Sequence, residues 1–190
     1  MKKLLSAILL LTSLFTQAQL KSPGEFLGYP LGSKFTPHYK IVNYFNYAAR
    51  TMANEMELKQ YGTTNEGRPL LLAFIARKEN LMVLESIRKN NLRLAGLLND
   101  QPADVNAPAI VWLSYNVHGN ETSSSETAMK VLYELLTSAQ SETYLKNTVV
   151  IIDPCLNPDG RDRYVNWQMQ MVGKEANPNP DAREHSEPWP

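Results

Sequence analysis

His118 and Glu121 stand three residues apart, with Gly119 and Asn120 between them. An imidazole and a carboxylate aimed at one point by a sharp turn are the two-ligand start of a zinc site, and Gly119 supplies freedom for such a turn. The bare H-x-x-E spacing also arises by chance and has a plain structural alternative. In that alternative His118 is a loop residue bonded to backbone, and Glu121 is an acid favoured by the dipole of the helix that follows. A second candidate is Asn157-Pro158-Asp159-Gly160, whose proline and glycine equally suit an ordinary tight turn.

The choice of metal donors is narrow, because the chain holds 3 histidines and 1 cysteine. A lone Cys155 excludes an intramolecular disulfide framework and a thiolate cluster, so any metal must be held by imidazole and carboxylate. His38 falls in the first turn of a helix and reads as a surface residue. His185 sits in a charged loop, residues 182–188, with no strand before it, and reads as solvated. With 19 Lys+Arg against 19 Asp+Glu in 190 residues, the chain is neutral, which excludes a basic nucleic-acid-coating protein and an acidic disordered tail.

Residues 1–18 have the parts of a secretory signal peptide: Lys2-Lys3, an apolar run, then Thr16-Gln17-Ala18 with cleavage expected after Ala18. A membrane anchor is the alternative, but Ser6, Thr12 and Ser13 interrupt the run and it is short for a hydrocarbon core. A secreted or periplasmic product without stable membrane insertion is expected.

The elements that must position these residues follow from periodicity. After an irregular, Gly/Pro-rich lead over 19–35, Thr36-Pro37 reads as an N-cap and first helical position. Ile41, Phe45, Ala48, Met52 and Met56 then mark one helix face. Residues 65–69 form a turn before an apolar strand over 70–76, and 81–98 read as one amphipathic helix. After a loop over 100–108, residues 109–117 read as a strand buried on both faces. Ser123 and Glu126 make a capping box for a helix over 124–140, and 148–153 read as a second buried strand. From Gly160 onward no clear period appears. Strand, helix and strand in this order form a crossover unit with parallel strands, which brings the His118 and Asn157 segments to the same carboxyl edge of the sheet, where α/β folds bind ligands.

Taken together, Tyr61-Gly62 with Glu66-Gly67-Arg68-Pro69 before one strand, His118-x-x-Glu121 after the next and Asn157-Pro158-Asp159-Gly160 after the third resemble the zinc carboxypeptidases of the carboxypeptidase A type. Order, spacing and context agree from about residue 41 to residue 160. The resemblance implies an α/β fold, a mixed and mostly parallel sheet flanked by helices, with residues 36–190 forming the amino-terminal part of a peptidase domain. It also implies Zn2+ as cofactor, His118 and Glu121 as two of three zinc ligands, and a peptide or protein substrate hydrolysed by metal-activated water. The third ligand and the glutamate base are expected beyond Pro190.

The chain departs from the family in several places. His185 is the only downstream histidine and lacks the expected strand context. The residues that grip a substrate carboxylate have no recognisable counterpart, although Arg161, Arg163 and Arg183 are cations that could meet one. Asn120 stands where digestive members carry arginine, and His-Gly-Asn-Glu is similar to zinc deacylases of N-acyl amino acids such as aspartoacylases. A catalytically inactive, peptide-binding relative is the remaining alternative.

Overall fold

A computed structural model describes residues 19–172. The signal-peptide expectation and His185 lie outside the described residues. Four strands form one mixed sheet: β1 (Met56–Thr63), β2 (Pro69–Ile75), β3 (Ala109–Ser114) and β4 (Thr148–Asp153), in the order β1-β2-β4-β3. β2 runs antiparallel to both β1 and β4, while β3 and β4 run parallel. The mixed sheet is as expected, and the β3/β4 pair is its parallel part among the described strands. Seven helices accompany it in this region: α1 (Pro23–Leu27), α2 (His38–Thr51), α3 (Lys78–Leu81), α4 (Leu84–Leu94), α5 (Ser123–Thr137), α6 (Ser141–Leu145) and α7 (Pro158–Val172).

The sheet buries two faces unequally. On one face Leu71, Ala73, Ile75, Val150 and Ile152 pack with Ile41, Tyr44, Phe45 and Ala48 of α2 and with Ala128, Met129 and Leu132 of α5. On the other, Val149 and Ile151 meet Ile87 and Leu84 of α4. Each helix thus spends its apolar stripe on the sheet, as amphipathic periodicity requires.

Several expectations are corrected. The first helix ends at Thr51, so Met56 opens β1 instead of extending α2. β1 gives a weak signal because only Met56 and Leu58 alternate inward before the register shifts between Gln60 and Gly62. The lead segment contains α1, closed by a capping box between Ser22 and Glu25. Residues 81–98 do not make one helix, since α3 and α4 are separated at Met82 and Val83. Among the described residues β3 is not buried on both faces: it lies at the edge of the four-stranded sheet, with Val111 42% and Trp112 56% exposed.

Two helix starts also differ from the capping patterns. Thr36 is buried ahead of α2, Pro37 is the N-cap, and the His38 backbone N–H donates instead to Asp162 Oδ1 of α7 at 2.8 Å. Ser123 and Glu126 form no capping box; Thr122 is the N-cap of α5, and Glu126 turns inward to Arg161. Within the described residues, the aperiodic stretch from Gly160 belongs to the helix α7, as far as Val172. Among its buried positions, Arg161, Tyr164, Val165 and Gln168 have helical spacing, but Arg161 and Gln168 are polar, so an apolar-period reading misses them.

Candidate metal centre

The β3/β4 ladder continues past the strand ends. Tyr115 N donates to Asp153 O at 3.0 Å, Leu156 N to Tyr115 O at 2.9 Å and Asn157 N to Asn116 O at 3.1 Å. These bonds carry the segment with His118 and Glu121 onto the segment with Asn157 and Gly160. The two expected motifs therefore meet at one edge of the sheet.

Contact between them is backbone on backbone. A Cβ at Gly119 would lie 2.2 Å from Gly160 C, so residue 119 must lack a side chain for closeness. Its φ is not positive; the left-handed residue of this turn is Asn116, with φ 57°. Asn tolerates that conformation better than most residues. Gly119 thus serves a different purpose from the freedom to turn that its spacing suggests.

Asn116 fixes the turn from inside. Its Nδ2 donates to His118 O at 2.6 Å, its backbone N donates to Ser124 Oγ at 2.8 Å, and its Oδ1 accepts from Arg161 Nη1 at 2.7 Å. Glu121 N closes the turn onto His118 O at 3.1 Å, and Asn157 Nδ2 reaches Val117 O at 3.2 Å. By contrast, the side chains of His118 and Glu121 are exposed and make no hydrogen bond or ion pair with the described residues. Two uncommitted donors on a pinned backbone fit zinc in kind, one nitrogen and one carboxylate. Among the described residues no group of three or more His, Cys, Asp or Glu could hold a metal ion, so the pair is an incomplete donor set by itself.

The Glu66-Gly67-Arg68-Pro69 turn joins the same cluster. Gly67 takes φ 80° between β1 and β2, and Arg68 reaches Asp159 Oδ1 at 2.7 Å and Asp162 Oδ2 at 2.8 Å near the start of α7, as well as its neighbour Glu66. Asp159 also accepts from Thr64 Oγ1 at 2.6 Å. Burial opposes ionisation of Asp159, but the bonds from Thr64 and Arg68 prevail and hold its carboxyl below the usual range. Asn157-Pro158-Asp159-Gly160 is accordingly a helix start: Asn157 Oδ1 accepts from Gly160 N at 2.9 Å, and Pro158 is the first residue of α7.

Of the three arginines noted in sequence, Arg161 is fully buried and meets Glu126, while Arg163 is exposed and pairs with Glu66 at 3.1 Å. Arg183 lies outside the described residues. Sequence reasoning missed Asn116, Glu126 and the buried role of Arg161. It also missed Asp153, whose Oδ2 accepts from Tyr61 Oη at 2.8 Å and whose carboxyl is pushed up by burial against the pull of that bond. Burial likewise pushes the Cys155 thiol up to about 12, which leaves it an inert core residue. The one available signal for Asn116 was an asparagine at a strand end just before the candidate ligand, a residue type suited to left-handed backbone.

The sheet edge brings the three motifs together on an α/β fold, with His118 and Glu121 as a candidate donor pair. The chain matches zinc carboxypeptidase over residues 41–185 and belongs to that family. Comparison with curated proteins finds no match. Among solved structures, carboxypeptidase A from Helicoverpa armigera superposes with a TM-score of 0.52 at 17% identity, covering 84% of this chain and 32% of that one. Thrombin activatable fibrinolysis inhibitor superposes with a TM-score of 0.50 at 16% identity, covering 75% of this chain and 32% of that one. These likenesses concern the fold. The chain spans about a third of the length of these solved relatives.

Proposed function

We propose that this chain is the amino-terminal part of a secreted zinc metallocarboxypeptidase-like hydrolase in which His118 and Glu121 are two of three zinc ligands. One observation carries the reading: an imidazole and a carboxylate, neither committed to a partner among the described residues, ride on a turn whose backbone is pinned to the Asn157–Gly160 helix start. Zinc held there supplies Lewis-acid polarisation of a scissile carbonyl and a lowered pKa for water. The chain's own residues supply position: β3 aims the turn, Asn116 holds its backbone, and Gly119 lets it seat against α7. The third ligand and the proton-transferring glutamate belong to sequence beyond Pro190 in this reading. The substrate is a peptide or protein, and the neutral composition gives no footing for nucleic acid. No helix among the described residues is long and apolar enough to cross a membrane. Export rests on residues 1–18, and amino-terminal sequencing of the mature protein should begin at Gln19.

The test uses the full-length protein. Metal analysis should find about one zinc per chain, with zinc-dependent release of a carboxy-terminal amino acid from peptides. His118→Ala and Glu121→Ala should each lose zinc and reduce kcat/KM by at least a hundredfold, on the order expected when a metal site is broken. Full zinc occupancy in both variants would remove these residues from the site. Asn120 motivates a second reading, a deacylase of N-acyl amino acids. A panel that pairs peptides with N-acyl amino acids separates the two by which class is turned over.

A further inference from the structure

We propose that Arg161 is the positioning residue of the metal-binding turn, a guanidinium that staples the two ends of segment 116–122 together. The inference rests on the metal reading of His118 and Glu121 but concerns a residue that does not touch the metal or the substrate. Arg161 is 0% exposed, and each of its N–H groups has an acceptor. Nε and Nη2 both donate to Thr36 O, at 2.9 and 2.7 Å, and Nη2 also donates to Glu126 Oε1 at 2.8 Å. Nη1 donates to Asn116 Oδ1 and to Thr122 O, both at 2.7 Å.

Those last two acceptors flank the candidate ligands. Asn116 is two residues before His118, and Thr122 is one residue after Glu121. A single nitrogen therefore fixes where the turn begins and where it ends. Arg161 also sets the Asn116 amide: with Oδ1 taken by the guanidinium, Nδ2 is left to face His118 O. The chain of bonds runs from Arg161 through Asn116 to the backbone of the proposed ligand.

Stability alone does not account for a buried charge at this point. Desolvating a guanidinium and a carboxylate costs several kcal/mol each, and a well-packed apolar pair often serves stability as well or better. What apolar residues cannot provide is a planar fork that bonds two separated segments in fixed directions, and lysine cannot provide it either. Saturated donors also exclude Arg161 as a cation that grips a substrate carboxylate. Its one carboxylate partner is Glu126, whose Oε1 also accepts from Thr36 N at 2.7 Å.

The experiment compares full-length wild type, Arg161→Lys, Arg161→Met and a control, Ile87→Val, whose site lies on the far face of the sheet in α4. Zinc affinity is read by competition with a chromophoric chelator, and amide hydrogen exchange at Glu121 and Ser124 is read in metal-free protein. Both Arg161 variants should bind zinc about ten- to a hundredfold more weakly, as loss of outer-shell support does elsewhere. They should exchange the two amides faster, while the control keeps wild-type values for both. If the Arg161 variants do not fold, Asn116→Gly keeps the positive φ and cuts the link to His118 O, and it should show the same losses. Wild-type affinity and exchange in folded Arg161 variants, or equal losses in the control, overturn the proposal. A wild type that binds no zinc overturns the metal reading instead, and the exchange comparison still decides whether Arg161 holds the turn.

Discussion

His38 is a residue whose cost depends on where it is placed. The sequence suggests a surface histidine in a first helical turn, yet the side chain is 2% exposed, with Nε2 3.0 Å from Pro69 O and no partner for Nδ1. Burial is the main reason its pKa lies below the usual 6.5; the bond to Pro69 and the charge of Asp162 oppose this, and the nearby Arg161 and Arg68 reinforce it. A protonated ring would bury a second N–H with no acceptor, so the native state holds His38 neutral. The unfolded chain binds a proton there near pH 6.5, the folded one only at lower pH. Stability therefore falls as pH drops below about 6.5 and levels off under the folded pKa. His38→Gln does not titrate and should flatten this part of the curve. Denaturation midpoints of the full-length pair between pH 7.5 and 5.5 provide the check, since His118 and His185 are common to both. Parallel curves would show that His38 does not carry the dependence.

At the scale of elements, the docking of the His118 turn on α7 makes opposite demands on its two glycines. A methyl at Gly119 meets the Gly160 carbonyl carbon at 2.2 Å and its oxygen at 2.4 Å, and backbone cannot yield without separating the two motifs. A methyl at Gly160 meets the Asn157 side-chain amide at 2.7 Å, which can rotate away with loss of its cap to Gly160 N. Gly160→Ala should then cost about 1 kcal/mol, the usual value of an N-cap, partly offset by better helix propensity. Gly119→Ala should cost at least about 3 kcal/mol, beyond ordinary overpacking, and should weaken zinc binding as well. Urea unfolding of the two variants tests the order, and similar costs would contradict a backbone contact. The same elements show what was legible from sequence. Strands β2 and β4 and helix α5 were readable because continuous or periodic apolar residues write burial directly into the chain. Helix α7 was not, because polar Arg161 and Gln168 occupy two of its inward positions, and the caps of α2 and α5 were misread because Asp162 and Arg161 reach them from elsewhere in the fold. The site followed the same division. His118, Glu121 and the Asn157–Gly160 turn stand out locally, whereas their support by Asn116 and Arg161 exists only after folding.

At the scale of the whole molecule, the described part is a sheet closed by α2, α4 and α5 on its faces but open at β3. Among the described residues β3 pairs with β4 alone, so its other edge presents unpaired backbone N–H and C=O groups. Val111 and Trp112 add exposed apolar surface on opposite faces of the same strand, an arrangement that sheet proteins ordinarily cover or guard with charge. Nothing in the nine-residue segment 109–117 provides such a guard, since it contains no Lys, Arg, Asp or Glu. A strand composed for the interior but found at an edge is a template for pairing with another chain. The 190-residue chain, expressed alone, should therefore self-associate through β3, with sedimentation velocity showing mass that grows with concentration in the micromolar range. Val111→Lys and Trp112→Lys place a charge on either face of the strand and should shift the distribution toward monomer. Lys59→Glu, on the opposite edge strand β1, should leave the distribution as it is. Association that persists in both β3 variants, or that responds equally to the β1 substitution, would assign the contact to a different surface. A chain that stays monomeric throughout would mean that the β3 edge is covered, and cross-linking followed by mass spectrometry of peptides containing Lys130 or Lys146 would then locate what covers it.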